Sequence, residues 1–99
     1  MGRTIYEFEL LYNGRPTTWE FDNAQERNDF YTRVKGRFSE EEYQNKNEAL
    51  AKGNIIQIST INVRQDSLNS VADIVPYEFY DGNLIDELTD FINKEYSRQ

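Results

Sequence analysis

Carboxylates are the main chemically active side chains of this sequence, because it contains neither Cys nor His. Asp and Glu total 18 against 11 Lys and Arg, which gives a net charge of −7. This composition excludes thiol nucleophiles, imidazole bases, disulfides and the usual zinc ligand sets. No phosphate loop, dinucleotide fingerprint, nucleophile elbow or EF-hand spacing occurs along the chain. We therefore expect a protein that is not an enzyme and that uses no cofactor and no metal.

The first group of carboxylates lies in a predicted β-hairpin. Residues 4–12 alternate between apolar and polar types, and Asn13-Gly14 then precedes the strand-like segment RPTTWEFD. A type I′ turn at these two residues pairs positions whose numbers sum to 27, so that Phe8 faces Trp19 on the core side. Pro16 fits an edge strand. The outward face of the hairpin then carries Glu7, Glu9, Glu20 and Asp22.

Two interpretations of this outward face remain open. In the predicted register Glu7 stands opposite Glu20, and like charges in that arrangement destabilise a strand pair. Protection of a sheet edge by charge is one explanation. Presentation of carboxylates in place of phosphates is the other, because neighbouring side chains on one strand face lie about 7 Å apart.

The second group of carboxylates lies near the C-terminus. Residues 65–93 include seven acids and no Lys or Arg. Asp86 and Glu87 fall in the first turn of a predicted helix, where the helix dipole favours acids, so dipole and solubility effects explain them without a partner. The segment from Tyr77 to Asp81 interleaves rings with carboxylates, which is typical of binding surfaces. A surface for a cationic partner would use Glu78, Asp81, Asp86, Glu87 and Asp90.

The predicted elements follow the order ββααββα within a single α+β domain over residues 1–99. We expect an antiparallel sheet with helices packed on one face. A first helix begins after the N-cap Asn23 and ends near Gly36, and a second extends from a capping box at Ser39 to Lys52-Gly53. A strand follows at 54–64, and because its apolar residues shift face between Ile58 and Ile61 we expect a bulge or a partly two-sided burial there. The next segments are a loop at 65–70, an edge or bent strand at 71–80 containing Pro76, and a turn at 81–83. The last helix has an apolar stripe of Leu84, Ile85, Leu88, Phe91 and Ile92.

Charge also restricts the class of partner. A chain this acidic is repelled by nucleic acid and by anionic membranes. No apolar stretch approaches the roughly 18 residues of a membrane span, and the start MGRTIYEFEL lacks a secretory signal, so we expect a cytoplasmic protein. Two functions remain open: a DNA mimic that occupies the basic site of a DNA-binding protein, and an acidic interaction or assembly module without mimicry.

In its size, acidity, aromatic content and lack of Cys and His, the chain resembles the small acidic phage proteins that take over a host by mimicking DNA. This class includes Bacillus-phage inhibitors of the histone-like protein HU. The resemblance implies a location in the host cytoplasm and a basic nucleoid-associated partner. It also implies that the carboxylates named above meet the partner's Lys and Arg side chains, with no direct contact to nucleic acid.

Overall fold

The computed structural model describes residues 3–43, 47–48, 51, 53–65 and 70–98. Its strands form one antiparallel sheet in the order β2-β1-β3-β4. This arrangement confirms the predicted α+β class. The elements are β1 (Arg3–Tyr12), β2 (Arg15–Phe21), α1 (Ala24–Arg37), a 3-10 turn (Ser39–Glu41), β3 (Ile55–Gln65), β4 (Ser70–Asp81), a second 3-10 turn (Gly82–Leu84) and α2 (Ile85–Ser97).

The hairpin of β1 and β2 has the predicted register, because its paired residue numbers sum to 27. Asn13 and Gly14 have φ values of 48° and 86°, as a type I′ turn requires. Asn13 also holds the start of β3. Its Oδ1 accepts a hydrogen bond from the Ile55 amide at 3.0 Å, and its Nδ2 donates to Asn54 Oδ1 at 2.9 Å. One turn residue therefore sets the hairpin and positions the next strand of the sheet.

Both α1 and α2 pack on the inward face of the hairpin, as predicted. The rings meet edge to face, and the centroids of Phe8 and Phe30 lie 5.3 Å apart. Helix α1 begins at the predicted cap, where Asn23 Oδ1 accepts from the Glu26 amide at 2.8 Å. The core consists of Phe8, Leu10, Trp19, Phe21, Phe30, Tyr31, Val34, Phe38, Ile56, Ile58, Tyr80, Leu88 and Ile92.

The apolar residues of β3 change face as predicted because the strand is buried on both sides, with Ile58 and Ile61 buried on opposite faces. The pairing of β3 with β4 also contains a bulge, whose extra residue lies on β4. Ser59 pairs with Tyr77 but Ile61 pairs with Ile74, so Val75 and Pro76 together lie opposite Thr60. Proline has no N–H to donate to a ladder, and a bulge on an edge strand is one of the places where a sheet tolerates it. The bulge therefore follows from the position of the proline.

A buried arginine joins α1 to the sheet beside this bulge. Arg27 is only 5% exposed, and its Nη1 donates to the Ile61 carbonyl at 3.0 Å and to the Asn62 side chain. Its guanidinium carbon lies 5.6 Å from the centre of the Tyr6 ring. Burial lowers the pKa of Arg27. The hydrogen bonds offset the cost of removing this charge from water.

The predicted start of the second helix is wrong. Ser39–Glu41 is a single 3-10 turn, and Glu42 is extended and forms a bridge with Tyr80 of β4. The Tyr43 amide donates to the Phe79 carbonyl at 2.9 Å, so pairing with the open edge of β4 replaces the capping box. Asn47, Glu48 and Ala51 are helical, while the rest of the predicted segment, like the centre of the predicted loop at 65–70, lies outside the described residues.

The outer edge of β2 lacks one backbone donor and has one backbone acceptor occupied. The hydroxyl of Tyr96 in α2 donates to the Glu20 carbonyl at 2.7 Å, which shows that this residue's backbone points away from β1. Pro16, four residues earlier on the same strand, points its backbone the same way and has no N–H. These two features weaken the edge as a template for strand addition. No helix of the described residues is long and apolar enough to cross a membrane.

Substitutions at Asn13 should separate the turn from its side-chain contacts. Asn13→Gly keeps the positive φ and loses the bonds to Asn54 and Ile55, so we expect the free energy of unfolding to fall by about 1 kcal/mol. Asn13→Ala also strains the backbone and should lose about 2–3 kcal/mol. Urea denaturation measures both values. Equal losses in the two variants would contradict the conformational role assigned to Asn13.

Two residues of the apolar stripe in α2 should differ in importance. Leu88 is fully buried, whereas Phe91 is half-buried and contacts Phe38 edge to face at 5.7 Å. Leu88→Ala should lower the free energy of unfolding by about 3 kcal/mol and Phe91→Ala by about 1–2 kcal/mol. Thermal and urea unfolding test this order. The reverse order would mean that α2 packs with a different face towards the sheet.

Candidate binding surface

The hairpin places three glutamates close together on the sheet face opposite the core. Glu7 pairs with Glu20, and Glu9 follows two residues along β1. Glu20 is exposed on the edge strand, whereas Glu7 and Glu9 on the interior strand β1 are half-buried. Their neighbours on β3 are Ile61 and Ser59, which are both buried. The predicted pairing of Glu7 with Glu20 is therefore confirmed, whereas Glu7 and Glu9 are partly shielded from water.

Partial burial changes the titration of the two inner glutamates. Loss of water around the carboxylate, followed by the nearby charge of Glu20, raises the pKa of Glu7. Loss of water and then the charge of Glu7 raises the pKa of Glu9. Both causes oppose the ionised form. The sheet face therefore holds negative charge at a cost in free energy that nearby cations of a ligand would reduce.

At the end of β2, Glu20 also borders an open cleft of about 520 Å³, which lies at the edge of the sheet on the helix side. The chain turns there into α1, which places Glu26 and Asp29 beside Asp22, and all three are exposed. The rings of Phe21 and Tyr96 lie in its wall with their centroids 5.4 Å apart in an edge-to-face arrangement. The residues that line the cleft are Glu20, Phe21, Asp22, Glu26, Asp29, Arg33 and Tyr96.

The sheet face and the cleft are continuous because Glu20 belongs to both. We call the combined surface the acidic strip and define it as Glu7, Glu9, Glu20, Asp22, Glu26 and Asp29. Sequence reasoning identified the members on the hairpin but missed Glu26 and Asp29. The N-cap at Asn23 could have identified them. It shows that a helix starts directly after β2, and acids in the first two turns of such a helix must lie near the end of that strand.

Glu78 and Asp81 do not belong to an exposed array, which corrects the sequence-based expectation. Glu78 is 16% exposed, and its Oε1 lies 2.9 Å from Lys35 Nζ. It faces the core side of β4 and is reached by α1. Asp81 accepts hydrogen bonds from the Asn83 amide at 2.8 Å and from the Tyr43 hydroxyl at 3.2 Å. Internal contacts occupy both carboxylates.

The acids of α2 form a separate exposed surface. Asp86, Glu87 and Asp90 lie in the first two turns of the helix and point to solvent. Tyr96, which reaches the acidic strip, is ten residues beyond Asp86, or about 15 Å along the helix axis. The predicted hairpin and C-terminal groups are therefore not brought together by the fold.

The described residues contain no set of three acids placed to hold a metal ion. No family model matches the chain, and neither a curated protein nor a solved structure gives a significant match. The acidic strip combines carboxylates, a concave shape and two aromatic rings, which together suit a cationic ligand.

Glu7→Gln should show whether the sheet face holds its charge at a cost. The raised pKa of Glu7 means that its carboxyl group binds a proton more tightly in the folded chain than in the unfolded chain. Protonation of Glu7 therefore contributes to stability at acid pH, and this contribution is lost as the pH rises through the pKa of the folded state. Gln cannot ionise, and the variant should gain about 0.5 kcal/mol at neutral pH. Near pH 3 the gain should vanish because the glutamate is then protonated.

Urea denaturation at the two pH values measures this effect. Glu40→Gln is the matched control, because Glu40 is exposed in a 3-10 turn far along the chain from the hairpin. Its unfolding free energy should match that of the wild type. Destabilisation of Glu7→Gln at neutral pH would show that Glu7 is stabilised by its surroundings and would contradict the assigned repulsion.

Proposed function

We propose that this protein binds a basic DNA-binding protein through the acidic strip and prevents that protein from binding DNA. The observation that supports the proposal is the continuity of the strip. Carboxylates from β1, β2 and the first two turns of α1 meet on one surface although their separation in sequence reaches 22 residues between Glu7 and Asp29. A basic site that normally tracks a phosphate backbone would meet a comparable row of negative charges.

The mechanism is competitive occlusion. Proteins that bind the DNA backbone obtain much of their affinity from electrostatic attraction, which decreases steeply with salt. The net charge of −7 adds a long-range attraction that speeds encounter with a basic partner. Phe21 and Tyr96 supply apolar and aromatic contacts for the stems of Lys or Arg side chains once the surfaces meet.

The strip favours a particular kind of DNA-binding protein. Carboxylates imitate phosphates in charge but offer none of the donor and acceptor pattern of base edges. We therefore expect a partner that reads backbone and shape, such as an HU-like nucleoid-associated protein. A partner whose affinity depends mainly on base contacts would gain less from this surface.

An acidic interaction module without mimicry is the second candidate. The observation in its favour is the separate group Asp86, Glu87 and Asp90, which is exposed and lies about 15 Å away along α2. Such a surface does not require a DNA-binding partner. The two candidates therefore differ in which surface carries binding and in whether DNA competes.

A pair of matched variants tests the proposal. The strip variant removes three exposed charges through Asp22→Asn, Glu26→Gln and Asp29→Asn. It leaves the helix cap intact, because the cap uses the backbone amide of Glu26. The α2 variant removes the same amount of charge from α2 through Asp86→Asn, Glu87→Gln and Asp90→Asn. The measurement is displacement of a fluorescent DNA duplex from a purified HU protein at two salt concentrations.

The wild type should displace the duplex, and less effectively at higher salt. The strip variant should need an about tenfold higher concentration, whereas the α2 variant should stay within about twofold of the wild type. Equal losses in both variants would reduce the effect to net charge. Weaker displacement by the α2 variant alone would place the binding site on α2. Failure of the wild type to displace the duplex from HU would refute mimicry of DNA towards this partner.

A further inference from the structure

The turn of the first hairpin contains a pair of residues with a chemistry of its own. Asn13 is the only asparagine of the sequence that is followed by glycine. The backbone nitrogen of the following residue can attack an asparagine side chain, and glycine hinders this attack least because it has no Cβ. Asn13 and Gly14 are both exposed, so water and hydroxide reach the reacting atoms.

The reaction is deamidation through a cyclic imide. After the Gly14 N–H loses its proton to hydroxide, the nitrogen forms a bond to Asn13 Cγ. The Cγ–Nδ2 bond breaks, and Nδ2 takes a proton from water and leaves as ammonia. A water molecule then opens the ring, either at the new bond, which gives aspartate, or at the main-chain carbonyl, which gives isoaspartate. In isoaspartate the backbone runs through Cβ and Cγ. The sum is one asparagine and one water giving one acid and one ammonia, without oxidation or reduction.

The backbone of the turn keeps the reacting atoms apart. Ring closure requires the Gly14 nitrogen to eclipse Asn13 Cβ. The φ values of 48° and 86° identify a type I′ turn. In that turn ψ of the first central residue is about +30°, so the Gly14 nitrogen is rotated about 150° away from Asn13 Cβ. Rotation of the intervening peptide group to a type II′ turn, with ψ about −120°, would align the two atoms.

The side chain of Asn13 opposes this rotation through its contacts with β3. Type I′ and type II′ turns both join hairpins, so the two strands do not prevent the change. The carboxamide, however, must leave its partners before Cγ reaches the Gly14 nitrogen. Its Oδ1 accepts from the Ile55 amide at 3.0 Å, and its Nδ2 donates to Asn54 Oδ1 at 2.9 Å. Attachment of β3 to the turn therefore controls the reaction.

We propose that Asn13 is a deamidation site whose reaction is slowed by its hydrogen bonds to Asn54 and Ile55, and that the isoaspartate product releases the start of β3 from the hairpin. Isoaspartate adds one atom to the backbone of a two-residue turn that fixes the strand register. Neither product has an Nδ2 donor for Asn54 Oδ1, and each adds a negative charge. The inference does not depend on the proposed function of the acidic strip.

The test compares deamidation rates in the folded and the unfolded chain. The protein is incubated at mildly alkaline pH with and without urea, and peptide mapping by mass spectrometry follows Asn13, with Asn83, which precedes the bulky Leu84, as the internal reference. The Asn13 reaction should be slower without urea by about tenfold or more, because two hydrogen bonds must break first. Asn54→Ala should speed it about fivefold in the folded chain and leave the rate in urea unchanged.

Gln25→Ala is the matched control for Asn54→Ala. It also removes one exposed hydrogen bond between side chains, that of Gln25 Nε2 with Asp29 Oδ1 at 2.9 Å, but on α1. The rate at Asn13 should stay that of the wild type in this variant.

Hydrogen exchange measures the effect of the modification on β3. The isoaspartate form is separated by chromatography, and exchange of the Ile55 amide is the readout because this amide donates to the Asn13 side chain. We expect exchange about fivefold faster than in the unmodified protein. Asn13→Asp keeps an acceptor for the Ile55 amide and should therefore show less acceleration than the isoaspartate form.

Three outcomes would overturn the inference. Equal deamidation rates with and without urea would mean that the fold does not restrain Asn13. No acceleration in Asn54→Ala, or the same acceleration in Gln25→Ala, would show that the contact with β3 is not the restraint. Unchanged exchange of the Ile55 amide in the isoaspartate form would mean that β3 stays attached to the modified turn.

Discussion

The register of the first hairpin is the constraint on which the rest of the structure depends. Asn13 and Gly14 adopt the positive φ values of a type I′ turn, and this turn alone decides which strand faces form. One face begins the core with Phe8, and the other places Glu7 against Glu20. A slip of one residue would exchange the two faces and bury the acids. Core formation and display of charge are therefore set by the same turn.

Arg27 fixes the second half of the acidic strip. Its guanidinium is buried against the Ile61 carbonyl and the Asn62 side chain, next to the bulge between β3 and β4. The neighbouring residue Glu26 and, one turn on, Asp29 then point away from the sheet and into the cleft. A helix held only by apolar contacts could rotate at small cost, whereas a buried charge has few alternative sets of partners. The buried arginine thus gives the exposed carboxylates a defined direction.

Local patterns in the sequence predicted the features that depend on local contacts: the hairpin register, the cap at Asn23, the two-sided burial of β3 and the stripe of α2. Predictions failed where distant segments compete for the same residue. The capping box at Ser39 is overridden because the backbone of Glu42 pairs with the edge of β4. The cleft had no local signal, since it requires Tyr96 to return to the end of β2 across the whole sheet.

The placement of charge argues against hydration as the reason for the strip. Acids that serve solubility are most effective where water surrounds them, as it surrounds Asp86 on α2. Glu7 and Glu9 instead lie on an interior strand, where partial burial and mutual repulsion raise their pKa values. A Lys opposite Glu7 would remove the repulsion without changing the register. A surface that keeps unfavourable charge at a rigid position gains most when a cationic partner covers it, because the cations of the partner relieve the repulsion and that relief adds to the driving force for binding.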